Sequence, residues 1–181
     1  MAILKIARMG HEVLLASAAP VEAATAPDIR RLLADMAETL DDAGGVGLAA
    51  PQVHVSLRLF IYFVPASRAG IGPPVALTAI INPQITPLSD EITQDWEGCL
   101  SIPGLRAAVP RHTHIRLTAQ DHDGTPFTRD LTGFEARIVQ HENDHLDGIL
   151  YPSRMTDHSR FGFNEELARN HIFFPPAEPA T

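Results

Sequence analysis

The chain is poor in cysteine, in lysine and in long apolar runs. Cys99 is the only cysteine among 181 residues. No disulfide can form within the chain, and nothing in it calls for an oxidising compartment. Lys5 is the only lysine, and acidic residues outnumber basic ones by 22 to 14, for a net charge of −8. That balance argues against a general nucleic-acid or acidic-membrane surface. No stretch approaches the ~18 consecutive apolar residues of a membrane span. Near the start, Lys5 and Arg8 precede the apolar run VLLASAAPV. The run is short, and His11 and Glu12 stand between it and the basic residues, which speaks against a secretory leader. The expected location is the cytoplasm. There is no internal repeat and no clear domain boundary.

What remains has the composition of a soluble globular domain, 45% hydrophobic and 20% charged. ATAPDIRRLLADMAETLDDAGG reads as a helix, with Ile29, Leu32, Leu33, Met36 and Leu40 on one face. Thr25 or Asp28 is expected to cap its start, Pro27 suits its first turn and Gly44 can end it. SLRLFIYFV and PVALTAIINP read as strands. SDEITQDWEGCLSIPG, HTHIRLTAQDHDG and TPFTRDL continue the strand-and-turn pattern, with DHDG as a hairpin tip. A second helix runs through ARIVQHENDHL and stops at Gly148, with Thr132 and Glu135 in a capping-box pattern. FGFNEELARNH can form a last short helix. The expectation is a single α+β domain, residues 1–172, with a flexible end at 173–181.

The second helix carries His141, Glu142 and His145 in the spacing H-E-x-x-H. Residues four apart on a helix have Cβ atoms roughly 5–6 Å apart, so two imidazoles can converge on one cation. Glu142 is then angled toward water polarised by that cation, where it can act as general base. The bland reading is a pair of buried histidines bonded to backbone. A catalytic cation needs a third protein ligand. A histidine six residues beyond His145 is one known solution, but that position is Tyr151. Glu165 or Glu166 lies at a plausible distance downstream, although an ordinary solvated helix face explains both. Cys99, in WEGCLSIPG, is the third candidate: a thiolate with two imidazoles suits iron(II) or zinc.

Three separated motifs, GVGLAAPQ (45–52), EGCLS (97–101) and QHENDH (140–145), together resemble the peptide deformylase family. Their order and spacing match, and the likeness extends over roughly residues 3–155. The resemblance implies antiparallel or mixed sheets packed around a central H-E-x-x-H helix. It implies Cys99, His141 and His145 as ligands to one divalent cation, usually iron(II), with zinc, nickel or cobalt also accommodated. Glu142 becomes the general base and acid in hydrolysis of the N-formyl group of nascent formyl-methionyl peptides in a bacterial cytoplasm. The Gln52 side chain and the Leu100 backbone N–H become donors to the formyl oxygen. Gly45, Val46 and Gly47 become the strand that pairs with the peptide. Glu97 supports the site from outside the ligand set, and Arg106 helps bind the peptide. Val46, Ile138 and the stem of Arg137 line an apolar pocket for methionine.

Two stretches depart from the family pattern. His54 stands where glycine is common, and GHEVLL replaces the usual G-D-P-x-L-R. Some members dock at the ribosome through a basic C-terminal helix. Here Arg154, Arg160 and Arg169 are offset by Asp157, Glu165, Glu166 and Glu178, so that mode of docking is not expected, and neither DNA nor membrane is an expected partner.

Overall fold

Strand LFIYFV decides the architecture, because both of its faces are apolar. In the computed structural model, which describes residues 2–69 and 72–170, it forms β2, Leu59–Val64. Leu59 and Ile61 point to one side, Phe60, Tyr62 and Val64 to the other. Such a strand belongs inside a sheet covered on both faces. The sheet has five strands in the order β1-β2-β3-β6-β7: Gly47–Ala49, β2, Val75–Pro87, His114–Gln120 and Pro126–Thr132. All its pairings are antiparallel. Helix α1, Pro27–Ala43, covers one face with Ile29, Met36 and Leu40 against Leu48, Leu59 and Ile61. Helix α2, Gly133–Leu146, covers the other with Ala136, Val139 and Leu146 against Phe60, Ile80 and Ile115. Each fully buried large side chain contributes on the order of 1.5–3 kcal/mol.

A second sheet, β4-β5-β8, closes the far side of α2. It comprises Ile92–Cys99, Ile102–His112 and Phe161–Phe163, again antiparallel. Leu14, Val109, Leu150 and Tyr151 fill the space behind it. The α+β class holds: one domain, antiparallel sheets, and the H-E-x-x-H helix between them. The last helix among the described residues, α3, spans Asn164–Arg169. The predicted flexible end at 173–181 lies outside the described residues.

The helix starts differ from expectation. Neither Thr25 nor Asp28 caps α1. Ala26 takes that position without a side-chain bond, and Pro27 opens the helix with one fewer N–H to satisfy. Asp28 Oδ1 accepts the neighbouring N–H of Ile29 at 3.0 Å. Thr132 does sit at the start of α2, but no capping box forms. Glu135 instead accepts from the Tyr62 hydroxyl at 2.7 Å and from Arg129 at 3.0 Å. The Gly133 N–H is taken by the Thr113 carbonyl at 3.1 Å. Tertiary partners therefore replace the local cap. The far ends follow the sequence: Gly44 is left-handed at φ 66° and Gly148 at φ 72°. A Cβ on Gly148 would lie 2.8 Å from the Leu15 carbonyl, so this glycine also admits the N-terminal segment.

His54 explains why glycine suits its position. It adopts φ 66° and ψ 20° at the end of the short helix Ala50–Val53. A left-handed residue with a Cβ costs roughly 1–2 kcal/mol relative to the right-handed form. Its ring meets that of His11 edge-on, with centroids 4.6 Å apart. The two departures from the family pattern thus contact each other.

Candidate metal centre

Helix geometry brings His141 and His145 together as the spacing requires, with ring centroids 5.1 Å apart. Cys99 reaches them from the end of β4. The register of β4 against β5 shifts between Gly98 and Cys99, and such an irregularity re-aims the next side chain. Cys99 Sγ lies 3.3 Å from His145 Nε2. One donor atom from each of Cys99, His141 and His145 lies within 4.8 Å of the others. Glu165 and Glu166 are both exposed on α3 and outside this group, which removes them as third-ligand candidates.

The electrostatics favour the ligating form of the cysteine; burial would lower His141, but Cys99 and Glu97 outweigh it and hold that imidazole well above its ordinary value. Burial alone would raise the Cys99 thiol, but His145 and His141 outweigh it and hold it well below its ordinary value. The thiolate is the form that binds metal. Glu97 is 6% exposed. Its Oε2 accepts from His141 Nδ1 at 2.9 Å, which leaves Nε2 of that ring for a cation. Burial would raise the Glu97 carboxyl, yet His141 and Arg111 keep it well below the usual range. Burial pushes the Glu142 carboxyl up to about 7. Glu142 Oε2 is buried without a hydrogen-bond partner, and so is His145 Nδ1. A soft sulfur, two imidazoles, a carboxylate fixing one ring and an unpartnered carboxylate alongside fit a divalent iron or zinc ion.

A cavity of about 370 Å³ opens over this cluster. Gly45, Val46, Gly47, Gln52, Glu97, Cys99, Leu100, Arg106, Arg137, Ile138, His141 and Glu142 all line it. His145 is the one residue of the expected site that does not. Gln52 Oε1 accepts the Ala49 N–H at 2.8 Å, which turns Nε2 toward Ser101 Oγ at 3.1 Å and Cys99 Sγ at 3.5 Å.

The contacts of the two glycines, Glu97 and Arg137 add detail to the expected site. Gly47 does not simply make room for a peptide: a Cβ there would collide with the Glu142 carboxylate, so the glycine makes room for the base. Gly45 similarly faces Leu100 and Leu40, at 2.9 and 3.0 Å from a built Cβ. Glu97 spends both oxygens on His141, Arg111 and Arg137, which is support for a ligand rather than a contact to substrate. The stem of Arg137 can line the pocket as expected, but its head is committed to Glu97 and to the carbonyls of Val109 and Thr93, each at 2.8 Å.

Sequence reasoning missed Arg111 and Asp144. Arg111 holds Glu97 through two bonds of 2.9 Å and Asp144 through one of 2.6 Å. Asp144 is also held by Arg154 at 2.7 Å. An inward arginine among Ala107, Val109 and the apolar positions of β5 was the available signal, since buried arginine implies a paired carboxylate. Tyr151, which the spacing marks only as a missing ligand, stacks on His141 with centroids 6.2 Å apart and planes 26° apart.

An α+β domain with a Cys-His-His donor set and a neighbouring glutamate defines a metal-dependent hydrolase. The polypeptide deformylase family model matches residues 3–161, and the chain belongs to that family. It is 52% identical to peptide deformylase 1 of Xanthomonas campestris pv. campestris, over 92% of this chain and 98% of that one. A class I type b peptide deformylase from Acinetobacter baumannii, solved with Met-Ala-Ser bound, superposes with TM-score 0.79 at 36% identity, covering 85% of this chain and 99% of that one. The peptide deformylase of Ehrlichia chaffeensis in complex with actinonin gives TM-score 0.81 at 31% identity, over 95% and 98%.

Proposed function

We propose that this chain removes the N-formyl group from the initiator methionine of newly synthesised polypeptides, releasing formate, with Cys99, His141 and His145 holding one divalent cation, iron(II) foremost. Zinc, nickel and cobalt fit the same donors. The observation that carries this reading is the convergence of those three donors beside the Glu142 carboxylate, whose Oε2 has no partner, with Cys99, His141 and Glu142 lining one cavity. A cation there supplies Lewis-acid polarisation of water and of the formyl carbonyl.

The residues of the chain do the rest. β1 is the edge strand of its sheet, and the Val46 carbonyl is already taken by the Phe63 N–H, so a peptide adds to the open side. Val46, Ile138 and the Arg137 stem receive the methionine side chain. Glu142 takes the proton of the attacking water and delivers it to the departing amine, for which a carboxyl poised near 7 is suited. Gln52 Nε2, by turning one proton away from Cys99 Sγ, and the Leu100 N–H donate to the formyl oxygen as charge develops on it. Donors of this kind contribute about 3–4 kcal/mol each to the transition state. Newly made chains place the reaction in a bacterial cytoplasm. Docking at the ribosome through the C-terminal region is not part of the proposal.

The test is Glu142→Ala in anaerobically prepared protein, with formate release from formyl-Met-Ala-Ser and bound metal both measured. Turnover should fall by at least about a hundredfold while metal content stays near one per chain. Full turnover in that variant removes Glu142 from the mechanism. Metal that survives Cys99→Ala removes Cys99 from the ligands.

A further inference from the structure

The cavity is lined by one arginine, Arg68, that formyl hydrolysis does not use. Arg68 ends the one-turn helix Ala66–Arg68 that follows β2. Its guanidinium lies 3.8 Å from the ring centre of Phe134, at the start of α2. Arg68, Phe134 and Arg106 all line the cavity. Among the described residues, no carboxylate forms an ion pair with Arg68. Burial, and then the proximity of Arg106, weaken its hold on its proton, and Asp95 opposes them. Asp95 is itself exposed, and its Oδ1 accepts the Trp96 N–H at 2.7 Å. The carboxylates that line the cavity are not bonded to Arg68 either. Glu97 is held by two arginines and a histidine, and Glu142 is buried beside the ligands.

The contact with Phe134 also orders Arg68 before any ligand arrives. A guanidinium stacked on a ring keeps its edge N–H groups for an anion and has already lost part of its rotamer freedom. A peptide added to the edge strand β1 carries its methionine into the pocket, and its next residues run along the same cavity wall.

We propose that Arg68, together with Arg106, makes this site selective for peptides that carry an acidic side chain within the two residues behind the formylated methionine, and that lysine there is disfavoured. The proposal rests on the deformylase reading and adds a charge preference to it.

The experiment measures kcat/KM for formyl-Met-Xaa-Ser and formyl-Met-Ala-Xaa, with Xaa as Asp, Ala or Lys. It compares the unaltered protein, Arg68→Gln and Arg116→Gln, the last removing a positive charge on β6 outside the cavity. The unaltered protein should favour Asp over Lys on the order of tenfold at one of the two positions at low salt. Arg68→Gln should compress that ratio at least threefold, mainly through KM, and about 0.5 M salt should do the same. Arg116→Gln should leave it intact. Calorimetric binding of the deformylated peptides should follow the same order. Equal treatment of Asp and Lys at both positions, or a ratio that survives Arg68→Gln, overturns the proposal. Absence of formate from every peptide overturns the deformylase reading instead, and the calorimetric order still decides the charge preference.

Discussion

Two arginine–carboxylate pairs in this protein share a geometry and differ in setting. Arg111 grips Glu97 through Nε–Oε1 and Nη2–Oε2, both at 2.9 Å. Arg116 grips Asp130 in the same two-pronged way, at 2.7 and 2.8 Å. The first pair is 5% exposed on both sides, the second 49% and 43%. By distance alone the surface pair is the tighter. Yet water screens it, and it touches nothing else that matters to the site. The buried pair orients the carboxylate that fixes His141, and its charges have no solvent to fall back on. Burial and connection, rather than separation, rank the two.

Arg111→Leu should have the largest effect. Glu97 would keep Arg137 and Asp144 would keep Arg154, but each would lose its shared partner inside the protein. Breaking a buried pair from one side costs about 3 kcal/mol, read as a lower urea midpoint at unchanged slope. An unchanged midpoint would mean that the network is dispensable. Next comes Glu97→Gln, which keeps the shape and removes the charge against His141 Nδ1. Metal retention against a chelator should fall by at least about tenfold while the circular dichroism spectrum is preserved. Arg154→Ala sharpens the contrast at one carboxylate, because Arg154 is 45% exposed where its co-partner Arg111 is 5%. Its loss should lower stability by up to about 1 kcal/mol, well short of Arg111→Leu. Arg116→Ala should be smallest, with no shift of the midpoint beyond the scatter of replicate unfolding curves. If it matched Arg154→Ala, exposure would not be the governing variable.

The same contrast explains which features could be read from sequence. The histidine pair follows from a local rule, four residues apart on one helix, and the spacing alone places it. The strands and their two-sided burial are local too, because the apolar character of both faces of Leu59–Val64 is visible in the letters. Cys99 needed the motif around it, since its approach depends on a register shift between β4 and β5. Arg111 and Asp144 lie 33 residues apart in the chain and meet only because β5 packs on α2, so no local pattern links them. The capping expectations failed for a related reason. Glu135 had a better partner in Tyr62, 73 positions away, than in the backbone it follows. Gly47 stands out as part of a motif, but its purpose does not, because the atom that needs its missing Cβ belongs to a different element.

The chain has no disulfide, but the proposed centre would serve as a cross-link. Cys99 belongs to the three-stranded sheet, whereas His141 and His145 belong to the helix packed on the other sheet. An ion held by all three closes a loop of roughly forty residues. For a covalent bridge, a closure of that length removes about 4 kcal/mol of conformational freedom from the unfolded chain. In a protein with a single thiol, the ion that equips the site for hydrolysis would also tie the two sheets together. Oxidation of that one sulfur would then release the tether along with the chemistry.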